Sequence, residues 1–153
     1  MKKNQKTIDI LLGIYMIGGA LLGTYGVSKF IDKAWDYPSV SWMGLVFGVL
    51  YILVGISGYL LIRFQKVSSY TILTQAMQVV GFSLFGIKYQ FCAGSSLKIG
   101  YQANDILYIV EVINSEFTLG INPTLKFFYI NVVPVIIIFY LVNHVNQEHP
   151  KQT

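Results

Sequence analysis

The sequence predicts an all-α membrane protein: a four-transmembrane-helix bundle with a small three-stranded antiparallel β meander between the third and fourth helices. Composition is the first reason, because 54% of the 153 residues are hydrophobic and 12% are charged, whereas soluble domains carry about 25% charged residues. The second reason is that the apolar residues fall in four runs of about twenty, the length that a helix needs to cross a hydrocarbon core of ~30 Å. The chain has room for one domain, so we expect a single integral membrane domain over residues 1–153.

The predicted spans are these four apolar runs, which cover residues 10–31, 40–62, 70–92 and 127–145. The first run is longer than the ~7–15 apolar residues of a signal-peptide core, so we expect it to be retained as a helix. Lys and Arg residues near the start of the chain and between the second and third runs indicate the cytoplasmic side. We therefore expect a multi-pass protein of the cytoplasmic (inner) membrane, with both termini in the cytoplasm and residues 93–126 outside.

The extracytoplasmic segment contains one alternating pattern twice, in SSLKIGYQ at 95–102 and in SEFTLGIN at 115–122. Strict alternation of apolar and polar residues predicts a strand with one covered face. The run between them, ILYIVEVI at 106–113, is rich in β-branched residues and is flanked by the turn-forming sequences AND and NS. We therefore expect a β meander over about 95–122, in which the two octets flank the central strand. Its outer strands share one apolar face, formed by Leu97, Ile99, Phe117 and Leu119.

A helix over 105–115, with Asp105 as its N-cap, is the alternative for the central segment. Five of the eight residues at 106–113 are β-branched, and such residues lose side-chain freedom in a helix but fit a pleated strand. The strand is therefore favoured. Because it is apolar on both faces, one face needs a cover beyond the helices. We take Tyr108, Val110 and Val112 as the candidate interaction surface.

Four glycines are candidate helix-packing residues, because the patterns GALLG and GLVFG let helix backbones approach closely. They form either a seam or gate between protomers, or the contact between the first two helices of one bundle, which we favour. These glycines are Gly19, Gly23, Gly44 and Gly48.

Four polar residues within the predicted spans are candidate intramembrane positions: Gln75, Gln78, Lys88 and Asn131. An unpaired amide in hydrocarbon costs several kcal/mol, so these side chains should face the interior of the bundle. They either join neighbouring helices or line a solute or ion pathway, and the first role is the commoner one. No Asp or Glu lies deep within a predicted span, which argues against a proton-coupled transporter.

The sequence carries no motif for catalysis, a cofactor or a metal. Cys92 is the only cysteine, so an internal disulfide and a cysteine metal site are excluded. The histidines, His144 and His149, stand in the polar tail and are too few for a metal cluster; we expect this tail to be disordered. The basic residues are scattered rather than gathered on one face, so no nucleic-acid partner is expected. We therefore predict a protein that is not an enzyme and has no cofactor.

Three functions fit these observations. The first, which we favour, is a non-catalytic interaction or assembly subunit in the lipid bilayer. It would present the extracytoplasmic sheet to a membrane or extracytoplasmic protein, or to a second copy in a homo-oligomer. The second is a small oligomeric transporter or channel, for which four polar positions make a thin pathway. The third is an immunity-type protein directed against a membrane-acting toxin.

Overall fold

The structure is a computed structural model that describes residues 2–33, 38–65, 67, 69–85, 87–103, 105–121 and 126–148. Four helices and four strands lie within these ranges. In chain order they are α1 (Lys2–Lys33), α2 (Pro38–Phe64), α3 (Ser69–Ala76), β1 (Val80–Leu84), β2 (Ile87–Gln102), β3 (Asp105–Ile121), β4 (Phe127–Asn131) and α4 (Val132–Glu148).

The first two predicted spans lie within the long helices α1 and α2, which pack against each other as a hairpin. Each contains a segment long and apolar enough to cross a membrane, at Gln5–Asp32 and at Trp42–Phe64. Pro38 stands at the first position of α2, where its missing N–H costs nothing because first-turn N–H groups have no partner within the helix.

The other two predicted spans are not continuous helices, so the prediction of an all-α bundle of four transmembrane helices is wrong. Residues 70–92 form the eight-residue helix α3 and then enter β1 and β2, while residues 127–145 form β4 before the 17-residue helix α4. In the described part of the chain, α1 and α2 are the helices that meet the length and hydropathy of a span. The physical reason is an alternation of small or polar residues with bulky apolar ones after Val80, a period of two that suits a strand.

The four strands form one antiparallel sheet that closes on itself. β2 pairs with β3 along almost its whole length. Its other edge pairs with β1 near its start, through Phe82 and Tyr89, and with β4 near its end, through Tyr101 and Phe128. Since β1 and β4 also pair with each other, through Phe82 and Phe128, the sheet is curled. The two described hairpins, β1–β2 and β2–β3, are joined by connections of two residues.

The three-stranded meander is also wrong, because residues 105–121 form one strand instead of two. The octet at 95–102 lies in β2 and pairs with residues 105–110, as the first two strands of the meander would. The expected turn at 114–115 is replaced by an irregularity in register between Gly94 and Ser96, which lets β3 continue past it. The second octet therefore lies in the same strand as the apolar run, and its last residue, Asn122, is outside the described residues. The helical alternative for 105–115 is excluded as well.

The irregularity at Gly94 divides the β2–β3 hairpin into two limbs. The helix-side limb, residues 87–94 with 114–121, packs its outer face against α1 and α2. Phe91 and Phe117 contact Phe47 there, and Phe117 also meets Phe30 edge to face. The distal limb, residues 96–102 with 105–112, lies past the irregularity and has an exposed outer face.

Helix α4 runs beside α1, α2 and α3 in the half of the molecule opposite the sheet, where Leu61, Ile137 and Leu141 form a second core. Asn131 caps this helix, since its Oδ1 accepts the N–H of Val133 at 3.3 Å. The helix continues through Glu148, so the first part of the tail expected to be disordered is helical. Residues 149–153, with His149, lie outside the described range.

Candidate functional site

The curled sheet is polar on its inner face and apolar on its outer face. The register and the two-residue period of a strand assign each side chain to one of these faces. Lys98 and Glu116 show the curl directly, because they bond each other although the Cα partner of Glu116 is Cys92, six residues from Lys98. The inner face carries Ser83, Lys88, Gln90, Cys92, Ser96, Lys98, Glu111, Glu116, Tyr129 and Asn131.

Lys98 is the centre of the inner face. Its side chain is almost fully buried, and its Nζ lies 2.8 Å from Glu111 Oε2 and 2.9 Å from Glu116 Oε2. Ser96 Oγ donates to the same Glu111 oxygen at 2.6 Å, and the ring of Tyr129 lies 5.4 Å from Lys98 Nζ. Gly81 on β1 and Gly100 on β2 lie against Tyr129 and provide room for it. The cluster therefore ties the distal limb to the helix-side limb by paired charges.

Two of the four candidate intramembrane residues, both amides, bind backbone groups of β2. Gln78 Oε1 accepts the N–H of Ala93 at 2.8 Å, and Gln78 Nε2 donates to the Thr74 carbonyl. Asn131 Oδ1 accepts the N–H of Leu97 at 3.1 Å in addition to capping α4. Both amides thus hold strand backbone on either side of the irregularity at Gly94.

The other two candidate positions lie apart from this pair. Gln75 is buried on α3, and its Nε2 has no hydrogen-bond partner within the part of the chain that the structure describes. Lys88 lies near the start of β2, with its Nζ 5.7 Å from the ring centre of Phe127. The described contacts do not join the four side chains into one polar path.

The candidate interaction surface lies on the outer face of the distal limb. Tyr108, Val110 and Val112 are 69%, 72% and 76% exposed. Neighbouring strands extend the same apolar face, because Tyr108 lies opposite Ile99, and Ile99 lies opposite Ile130. The face comprises Ile99, Tyr101, Ile106, Tyr108, Val110, Val112, Phe128 and Ile130, all of them exposed.

The free edge of β3 borders this face. Among the described residues, β3 pairs with β2 alone, so one side of its backbone has no strand partner. The residues at 114–118 are half-buried against the helices, and Ser115 Oγ donates to the Gly19 carbonyl at 2.7 Å. Residues 105–112 have no such cover in the described structure.

The four glycines occupy different kinds of contact. Gly23 lies against the ring of Tyr51, and Gly44 lies against Ile31, both between α1 and α2. Gly48 faces Val27 at an ordinary distance. Gly19 contacts the sheet instead, because a Cβ on it would lie 2.6 Å from the backbone carbon of Ala93.

A polar cluster between α1 and α4 was missed by the sequence analysis. Asp9 is buried in α1, where its Oδ1 accepts the hydroxyl of Tyr140 at 2.7 Å and its Oδ2 lies 3.3 Å from His144 Nε2. The sequence signal was available, since Asp9 precedes the first apolar run directly and Tyr140 and His144 are four residues apart on one helix face. We refer to this cluster as the Asp9 clamp.

No protein-family model matches the sequence, no characterised protein is similar to it, and no solved structure matches its fold. Within the described ranges, no group of three or more His, Cys, Asp or Glu side chains is placed to hold a metal ion.

Proposed function

We propose that this protein is an integral membrane protein that acts as a non-catalytic interaction or assembly subunit. The observation that carries the proposal is the outer face formed by the distal limb and β4, where eight apolar side chains are exposed while Lys98 and Glu111 are turned inward. A soluble sheet has the opposite arrangement, with its polar face toward water. An exposed apolar face of this kind marks contact with another surface, either lipid or a partner protein.

The position of the sheet along the helices supports a location of this face within the membrane. Gly19 lies at the middle of the Gln5–Asp32 segment, and it receives the hydrogen bond from Ser115. Tyr15, one turn earlier, donates its hydroxyl to the Ser95 carbonyl at 3.1 Å. If α1 crosses the bilayer, the irregularity between the two limbs therefore lies near the midplane. The rest of the sheet extends toward the α1–α2 connection, which the distribution of Lys and Arg places outside the cytoplasm.

Transport is the second candidate function, and the hydrogen bonds of the Gln78 and Asn131 amides argue against it. Gln78 and Asn131 would have to give up backbone hydrogen bonds of β2 to line a path for solutes. Leaving buried backbone donors unpaired costs about 1–3 kcal/mol each. Purified protein in liposomes should therefore conduct no solute or ion. Flux that is lost in both Gln78→Leu and Asn131→Leu would support transport and reject the assembly proposal.

Site-specific photo-crosslinking in native membranes tests the proposal directly. A photoreactive phenylalanine derivative replaces Tyr108 in one variant and Tyr59 in the other. Tyr59 is the matched control, since it is an exposed tyrosine on α2, 55% exposed against 69% for Tyr108. We expect a protein adduct of one defined mass from position 108, and lipid adducts alone from position 59. Lipid adducts alone at both positions would refute the role of this face in assembly.

A further inference from the structure

We propose that the partner of the distal limb is a second copy of this chain, joined to the first by antiparallel pairing of the two β3 strands over residues 105–112. This inference rests on the proposed function and deepens it by naming the partner. It makes the curled sheets of two protomers continuous across their β3 edges.

The free backbone edge of β3 needs another strand as its hydrogen-bonding partner. On a strand, alternate residues point their N–H and C=O groups to opposite edges, and the described part of the chain provides β2 on one edge only. Lipid tails cannot accept or donate hydrogen bonds, and open sheet edges do not occur where protein faces hydrocarbon. The limb starts at Ser95 and Ser96, beside Tyr15 near the midplane of the α1 span, so the part of its edge nearest the irregularity lies at a depth where water is scarce.

The extent of the free edge defines the length of the pairing. At one end, the irregularity between Gly94 and Ser96 interrupts the ladder, and beyond it the helices cover β3 through Ser115 and Phe117. At the other end, the turn from β2 comes directly before Asp105. Eight residues remain, which is about 27 Å of strand at ~3.4 Å per residue.

The sequence of this stretch suits pairing with itself. Pairing two copies about a two-fold axis needs no second kind of surface, and two-fold dimers are the commonest symmetric assemblies. An axis at Ile109 sets Tyr108 opposite the partner's Val110, and Ile106 opposite the partner's Val112. Aromatic and β-branched residues are favourable cross-strand pairs. An axis one residue earlier, at Tyr108, would set Asp105 opposite the partner's Glu111, where like charges repel.

The pairing of Glu111 with Lys98 inside each sheet lowers the electrostatic repulsion between the two protomers at this contact. Glu111 lies in the pairing stretch, but its Oε2 is 2.8 Å from Lys98 Nζ in its own chain. Lys98 therefore offsets part of the charge that Glu111 brings to the edge, since Lys98 also pairs with Glu116.

Disulfide crosslinking between differently tagged copies tests the register. The native cysteine is first removed by Cys92→Ser. Tyr108→Cys in one copy and Val110→Cys in the other are then co-expressed in membranes and oxidised. We expect this mixture to form at least about tenfold more linked dimer than Tyr108→Cys alone, because directly opposite residues lie about 4.5–5.5 Å apart and diagonal ones about 7–8 Å. Tyr59→Cys on α2 is the control and should give none.

A proline pair tests the backbone pairing without a crosslink. The N–H groups of Tyr108 and Ile109 point to opposite edges of β3. One of Tyr108→Pro and Ile109→Pro should therefore break a bond to β2 and lower the stability of the fold. The other should leave the fold intact and abolish the dimer, as measured by mass in mild detergent. Folded dimer in both variants would overturn the inference.

The outcomes separate this inference from the proposed function. A photo-adduct at position 108 with twice the mass of the chain, together with the Tyr108–Val110 crosslink, supports both. An adduct of a different mass, with no crosslink between copies, overturns the homodimer and retains the assembly subunit. Lipid adducts alone overturn both.

Discussion

The two limbs of the β2–β3 hairpin share one ladder of hydrogen bonds but differ in what covers their outer faces. On the helix-side limb, Phe91 is 1% exposed because α1 and α2 pack on it. On the distal limb, Val110 is 72% exposed although it belongs to the same strand pair. The residue types are similarly apolar on both limbs. Their different burial shows that the helices cover the outer face of one limb and leave that of the other exposed.

The largest expected difference between the limbs concerns truncation of their outer side chains. Phe91→Ala should lower the free energy of unfolding by about 3–5 kcal/mol, since it removes a fully buried ring from the core. Val110→Ala should change it by less than about 0.5 kcal/mol in dilute detergent, where copies are separated. Denaturant titration of both variants measures this. Equal losses would show that the distal face is already buried within one chain.

The charge cluster provides the next test, because it joins the limbs. Lys98→Met should cost about 2–4 kcal/mol, since it leaves two glutamates facing each other without a counter-charge. Lys88→Met is the matched control on the same inner face and should cost less than about 1 kcal/mol. The same unfolding titration compares the two. Similar losses for both lysines would mean that the cluster does not hold the limbs together.

The sequence predicted the half of the fold in which length and apolar content determine the structure. Two runs, 10–31 and 40–62, lie in long helices. The run 70–92 leaves its helix at the turn at 77–79 and alternates after Val80, and the run 127–145 begins with residues that pair with β1 and β2. A hydropathy window averages over that alternation and so cannot separate the two structures.

The site was also predicted only in part, because some of its contacts join residues that are far apart in the sequence. The two-residue period of a strand sets Tyr108, Val110 and Val112 on one face, and the structure shows that face exposed. The contact of Lys98 with Glu116 could not be predicted, because it depends on the bend at Gly94, whose φ of 111° is a backbone conformation that glycine adopts readily. The function of this surface stays a prediction.

The Asp9 clamp has a consequence for the order of events during synthesis. Asp9 and His144 are separated by 135 residues, so at ~5–20 residues per second the helix α1 waits roughly 7–27 s for its partner to be made. During that time a carboxylate stands in the first apolar helix without the hydroxyl and imidazole that it contacts in the finished protein. The clamp is thus one of the last contacts that the growing chain can form. It links the earliest-made helix to the latest, and its formation marks the moment at which the helical half of the protein is complete.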